Sequence, residues 1–226
     1  DKPIIDSYKS YTRHRNGVFV VLIVALVLTS AISLSLGSSK MSLADLVSAL
    51  LGNEESTNST IIWHIRFPRI IGAVLAGWAL AMSGVVLQCI LHNPLASPYT
   101  LGISQGAAFG AALAITVIGF KPTEVNLSIL NSLSLGIGFF AFLGASATTW
   151  VILILSQKRK LSSEAIILSG VALSALASAG TMMIQYFASD IEVASIVFWT
   201  FGDVSRASWK DLFLVTIFLL PSFIYF

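Results

Sequence analysis

The sequence is poor in charged residues and in cysteine. Charged side chains make up 11% of its 226 residues, against roughly a quarter in soluble globular proteins. The net charge of +2 is small, and without a basic stripe it argues against nucleic acid as a partner. One cysteine, Cys89, excludes a disulfide framework and a cysteine-based metal cluster. We therefore expect neither a metal site nor nucleic-acid binding.

Catalytic motifs are also missing. The sequence has no Walker A glycine loop, no His-Glu-x-x-His and no serine elbow, so we expect no enzyme activity and no cofactor bound by this chain. No charged residue lies in the middle of a long apolar run. Carriers driven by protons or ions usually need an intramembrane carboxylate or a comparable ion site. The pattern therefore favours an energy source outside the membrane domain.

Long apolar runs are what the sequence has in abundance, with 56% hydrophobic residues. About 20 apolar residues cross a bilayer as a helix, and the runs are continuous, without the alternation of barrel strands. We predict an all-α, polytopic transmembrane bundle in one domain over residues 1–226. Its six spanning helices are expected near 18–36, 63–91, 98–120, 125–155, 163–189 and 209–226. Shorter apolar segments predict a surface helix over 42–51 and a re-entrant or interfacial helix over 193–202.

The distribution of basic residues predicts the orientation. Basic clusters at 9–15 and 158–160 lie on the same side of a six-span chain, and the positive-inside rule makes that side cytoplasmic. We expect a cell-membrane protein with a cytoplasmic N-terminus, in contact with lipid. The loop 92–98 is then cytoplasmic, whereas 37–65, 121–124 and 190–211 face out. Basic residues also occur in these outward segments, and docking of an acidic partner would explain them.

Residues 66–113 contain the most specific pattern of the chain. It comprises Arg66-Phe67-Pro68-Arg69, Ser83-Gly84, Gln88, Asn93-Pro94-Leu95-Ala96, Pro98, Leu101-Gly102 and Gly106-Ala107. In order and spacing it resembles the permease subunits of ATP-driven importers for iron–siderophores, haem and cobalamin, the FecCD-type permeases. The resemblance implies a subunit that pairs with a second permease subunit, a copy of the same chain, around a central pathway.

The resemblance also implies further partners and a mechanism. An extracytoplasmic binding protein delivers the chelate, and separate ATP-binding cassette subunits hydrolyse ATP and drive alternating access. Family members have about ten spans, so this chain corresponds to spans one to six, and the segment that contacts the ATPase follows the sixth. Two alternatives are a non-transporting membrane component and an ion-coupled carrier of small solutes. The paired arginines and Asn-Pro-Leu-Ala count against both.

Arg66 and Arg69 lie at the outer end of the second predicted span, on neighbouring faces of a helix start. Cations at a helix N-terminus oppose its macrodipole, so helix stability does not explain them. Snorkelling to lipid phosphates is one interpretation. The resemblance favours another, in which both arginines dock carboxylates of the binding protein, since guanidinium groups suit bidentate contacts. Arg206 is a candidate for the same docking surface.

The remaining candidate residues lie in the loop and in the spans. Asn93, Pro94, Leu95, Ala96 and Pro98 form a turn between two helices, which the resemblance places on the cytoplasmic side near the ATPase. Glycines at 102, 106 and 110 recur every fourth residue and predict close helix packing. We assign Gly102, Gly106, Gly110, Gln88 and Gln105 to the pathway or its packing. For Gln105, facing the pathway and bonding a neighbouring helix remain equal alternatives.

Overall fold

A computed structural model describes residues 2–35, 57–117, 119, 127–159, 162–205 and 207–226. Its helices are α1 (Lys2–Ser35), α2 (Thr57–Ile61), a π-helical segment (Ile62–Arg66), α3 (Phe67–Leu91), α4 (Ile103–Thr116), α5 (Leu127–Arg159), α6 (Ser163–Phe187), α7 (Asp190–Phe201) and α8 (Trp209–Tyr225). Over this part of the chain the structure is helical, with no strands. The predicted all-α class is confirmed.

Four helical stretches of the described residues are long and apolar enough to cross a membrane. They are Lys9–Ser35, Ser59–Leu91, Gly136–Lys158 and Ser163–Phe187. These correspond to the predicted spans 18–36, 63–91, 125–155 and 163–189, and they define a polytopic membrane protein. The last predicted span, 209–226, is the 17-residue helix α8, which contains Pro221.

The predicted span 98–120 is wrong at its beginning. Residues 98–102 form turns, and helix α4 covers only Ile103–Thr116, which is 14 residues. Gly102 has a φ of 75° in the left-handed region, which glycine adopts without steric cost. At about 1.5 Å per residue, a helix of this length is shorter than the bilayer core is thick. The apolar run therefore gives too long a helix, because its first residues form turns.

Two shorter helices were predicted from the sequence. For 193–202 the structure has α7, which begins at Asp190 after Ser189, whose backbone N–H donates to Glu192 Oε2 at 2.9 Å. This is one half of a capping box. Gly202, with a φ of 75°, ends the helix. The re-entrant or interfacial location of α7 stays a prediction. The surface helix predicted for 42–51 lies outside the described residues.

The chain divides into two compact units. The first comprises residues 1–75 and 204–218, and the second comprises 76–203 and 219–226. The assignment of 1–226 to a single permease domain stays a prediction. In the second unit α4 contacts α5, α6 and α7. Ala112 and Ile115 of α4 form an apolar cluster with Ile196 of α7, so a short helix with small side chains lies at the centre of this unit.

Candidate functional site

A π-helical segment precedes the paired arginines in the first unit. Over Ile62–Arg66 the helix widens, and the backbone N–H of Phe67 donates to the carbonyl oxygen of Ile62, five residues earlier. Pro68 explains the change of register, because in an α-helix its ring would clash with the carbonyl four residues before it. Short π segments often occur at functional sites. The sequence predicts a helix start at Arg66 and Arg69, but the helical stretch extends back to Thr57.

Arg66 is directed into the first unit. Its side chain is buried, and its Nη1 donates to the carbonyl oxygen of Leu34 and, at 3.4 Å, to that of Ser35. These are the last carbonyls of α1, which lack partners within their own helix. A cation at a helix C-terminus also interacts favourably with the macrodipole. The structure therefore connects Arg66 to the end of α1.

Arg69 lies one helical turn further on and is exposed. Its Nε donates to the carbonyl oxygen of Ser205 at 3.0 Å. The bond joins the first turn of α3 to the loop before α8, both within the first unit. The third predicted docking residue, Arg206, lies outside the described residues. The docking role of the three arginines stays a prediction, and the geometry distinguishes a buried Arg66 from an exposed Arg69.

Aromatic side chains connect the same elements. The rings of Trp63 and Phe67 lie 5.1 Å apart, and those of Phe67 and Trp209 lie 6.0 Å apart. The indole Nε1 of Trp209 donates to the carbonyl oxygen of Trp63 at 2.9 Å. The sequence did not predict this contact. A proline shortly after a tryptophan, in a run otherwise typical of helix, was the available indication of a disturbed backbone.

The loop between α3 and α4 is held by its own polar groups. Asn93 Oδ1 accepts from the backbone N–H of Leu95 at 2.9 Å, which is an Asx turn. The hydroxyl of Thr100 donates to the carbonyl oxygen of Leu95 at 3.2 Å, and it accepts from the backbone N–H of Ser97 at 2.9 Å. Ala96 is fully buried, whereas Leu95 is 71% exposed. The turn predicted at Asn93–Pro98 is present, and its cytoplasmic location stays a prediction.

Both glutamines make hydrogen bonds within the second unit. Gln88 Nε2 donates to the carbonyl oxygen of Pro94 at 3.2 Å, which joins the end of α3 to the loop. Gln105 Oε1 accepts from the hydroxyl of Ser178 at 3.2 Å, which joins α4 to α6. Of the two alternatives for Gln105, the structure therefore has the bond to a neighbouring helix. The assignment of these glutamines to a pathway stays a prediction.

Gly102, just before α4, and Gly106 and Gly110 within it lie where backbones approach closely. A Cβ on Gly102 would lie 2.8 Å from the carbonyl oxygen of Gly170, in α6. A Cβ on Gly106 would overlap the hydroxyl of Thr148, and one on Gly110 would overlap the carbonyl oxygen of Phe140, both in α5. Contacts this short leave no room for a side chain, so these glycines bring α4 against both neighbours.

The fold and these contacts define a polytopic membrane protein, and comparison with known proteins defines its family. The FecCD transport family profile matches residues 23–226. A relative from Methanocaldococcus jannaschii, provisionally named an ABC transporter permease protein, is 45% identical over 223 residues, which are 99% of this chain and 64% of the relative. The haemin transport system permease HmuU of Yersinia pestis is 34% identical over 205 residues, 89% of this chain and 59% of HmuU.

A solved structure is similar as well. It is described as an inward-facing conformation of a metal-chelate type ABC transporter, with a TM-score of 0.68, 30% identity, and coverage of 92% of this chain and 59% of that one. The chain belongs to the FecCD transport family. The resemblance stated from residues 66–113 is thereby confirmed. The chain spans about three-fifths of the length of these relatives.

Proposed function

We propose that this chain forms part of the translocation pathway of an ATP-driven importer for an iron–siderophore, haem or cobalamin-type chelate. The match to the FecCD transport family over residues 23–226 carries the proposal. The haemin transport name of a relative and the metal-chelate description of a similar structure support the substrate class. Small and apolar side chains dominate the described helices, and they suit the passage of a bulky, partly apolar ligand.

The proposed assembly contains a second permease subunit, a binding protein and ATPase subunits. A second permease subunit, a copy of the same chain, lies across a central pathway, and a soluble binding protein delivers the chelate. ATP-binding cassette subunits bind and hydrolyse ATP, and the permease alternates between outward and inward access. Alternating access moves helix bundles as rigid bodies around the pathway. The close backbone contacts of Gly102, Gly106 and Gly110 provide one in the second unit.

Docking of the binding protein is assigned mainly to Arg69. Its guanidinium is exposed beside the loop before α8, so an incoming carboxylate has access to it. Arg206 is the proposed second contact. Arg66 contributes at most through its position, because its side chain is buried against the end of α1. The alternative of lipid snorkelling would need both arginines to reach the lipid headgroups.

Transport by purified protein tests the function. The permease, expressed from its complete reading frame with its ATPase, should take up labelled haem, a ferric siderophore or cobalamin into proteoliposomes. Uptake should require ATP and the binding protein, because in the proposed assembly ATP hydrolysis drives the change of access and the binding protein delivers the chelate. A panel of the three ligands identifies the cargo. Uptake that follows a proton gradient without ATP would support the ion-coupled carrier instead.

Cysteine labelling tests the proposed orientation. With Cys89 replaced by serine, Ser162→Cys and Val204→Cys each place one thiol on an exposed loop position. In intact cells an impermeant maleimide should label position 204, and position 162 only after permeabilisation, because one membrane span separates the two loops. Labelling of both positions from outside would contradict the proposed topology.

A further inference from the structure

We propose that the indole N–H of Trp209 replaces the backbone N–H that Pro68 lacks, and that this bond holds the π segment which positions Arg66 and Arg69. The bond itself is independent of any partner. Its importance for docking rests on the proposed function. Trp209 is therefore a positioning residue for the docking arginines.

The register of the π segment identifies the missing donor. Because the N–H of Phe67 bonds to the carbonyl of Ile62, it is not available to the carbonyl of Trp63 in the α register. The next donor in the π register is the nitrogen of Pro68, which carries no hydrogen. The carbonyl oxygen of Trp63 instead accepts from Trp209 Nε1 at 2.9 Å. A hydrogen bond of this kind contributes about 0.5–1.5 kcal/mol net, so a side-chain donor here stabilises the π register.

Trp209 is itself held in place at the start of α8. The side chain of Asp211 accepts from the hydroxyl of Ser208 at 2.7 Å and from its backbone N–H at 3.1 Å, which caps this helix. A Cβ on Gly72 would lie 3.2 Å from the Cβ of Ala207 and 3.5 Å from Leu212 Cδ2, so the start of α8 and the residues just before it pack directly on α3. The indole is 42% exposed, yet its N–H is directed at the main chain. These contacts set the indole before any partner binds.

The consequence for the arginines follows from helix geometry. Each residue of an α-helix turns the chain by about 100°. Conversion of the π segment to α-helix would rotate Trp63 and the residues before it by about that angle relative to Arg69. Arg66 is the last residue of the π segment, and its bonds to the end of α1 depend on that register. Trp209 therefore stabilises a geometry in which Arg66 points inward while Arg69 stays exposed.

A double-mutant cycle tests the replacement of one donor by another. Trp209→Phe keeps an aromatic ring against Phe67 but removes the N–H, whereas Pro68→Ala adds a backbone N–H. Trp209→Phe alone should lower the melting temperature of the purified permease by about 2–4 °C, and should weaken binding-protein docking about fivefold. In the Pro68→Ala background the same substitution should change both quantities much less. Trp199→Phe, in α7, is the matched control and should change neither.

The proposal is overturned if Trp209→Phe lowers the melting temperature and the docking affinity equally in the wild-type and Pro68→Ala backgrounds. In that case the indole contributes by packing alone, because a backbone N–H at position 68 does not replace its contribution. Melting is measured without the binding protein. A wild-type permease that binds no partner but shows the non-additive melting would therefore contradict the proposed function and leave this inference standing. If Trp209→Phe does not fold, the bond is tested in the wild-type protein by the hydrogen-exchange rate of the indole N–H. Exchange slower at Trp209 than at Trp199 supports the bond, and equal exchange refutes it.

Discussion

Gly106→Leu should prevent the second unit from folding normally, with a large loss of monodisperse protein in detergent. A Cβ at this position would lie 2.7 Å from the carbonyl oxygen of Gly144 and would overlap the hydroxyl of Thr148. Both obstacles belong to α5, and one is backbone, so no rotamer change relieves it. Overpacking of a well-packed core costs about 1–3 kcal/mol or more. Because the backbones of α4 and α5 must separate, we expect the upper end of that range.

Gly77→Leu is the matched control. A Cβ on Gly77, in α3, has nothing within 4 Å, and leucine has a higher helix propensity than glycine. Yield and melting temperature should therefore equal or exceed those of the parent in this variant. Both variants are compared by size-exclusion profile and thermal melting in the same detergent. A Gly106→Leu protein as stable as Gly77→Leu would mean that α4 does not approach α5 as described.

The sequence predicted well those features that depend on local periodicity. Glycines every fourth residue, at 102, 106 and 110, predicted close packing, and the structure has it against two helices. The same periodicity could not reveal where α4 begins. Uncharged residues at 98–102 extend the run, but they lie outside the helix, in turns held by hydrogen bonds of Thr100 and ended by the left-handed Gly102. Hydropathy measures preference for an apolar environment and does not distinguish buried turn from helix.

The sequence did not predict the hydrogen bonds between residues that lie far apart along the chain. The motif at Arg66 and Arg69 identified the family, but it did not distinguish the two side chains. Arg66 donates to the carbonyl oxygens of Leu34 and Ser35, which lie 32 and 31 residues away. Arg69 donates to that of Ser205, which lies 136 residues away. Backbone carbonyls carry no mark in the sequence. The bond of Trp209 to Trp63, 146 residues apart, was missed for the same reason.

Arg69→Glu should weaken docking of the binding protein by about 30-fold, corresponding to about 2 kcal/mol. The guanidinium is exposed, so the reversal turns an attractive pair with a carboxylate of the partner into a repulsive one. Affinity is measured on the purified permease–ATPase complex in nanodiscs, at low and high salt. Wild-type affinity should fall with added salt, because exposed charges are screened over a Debye length of about 10 Å at 0.1 M.

Arg66→Glu and Arg13→Glu are the controls for Arg69→Glu. Arg66→Glu should lower the melting temperature without the binding protein, because a carboxylate would face the carbonyls of Leu34 and Ser35 at the end of α1. Arg13→Glu reverses an exposed charge of α1 on the predicted cytoplasmic side and should leave docking unchanged. A Glu→Arg change on the binding protein should restore part of the affinity lost in Arg69→Glu, and it should restore nothing in Arg66→Glu. If the affinity for the binding protein changes neither in Arg69→Glu nor with salt concentration, Arg69 does not contact the partner. It would then be a lipid anchor.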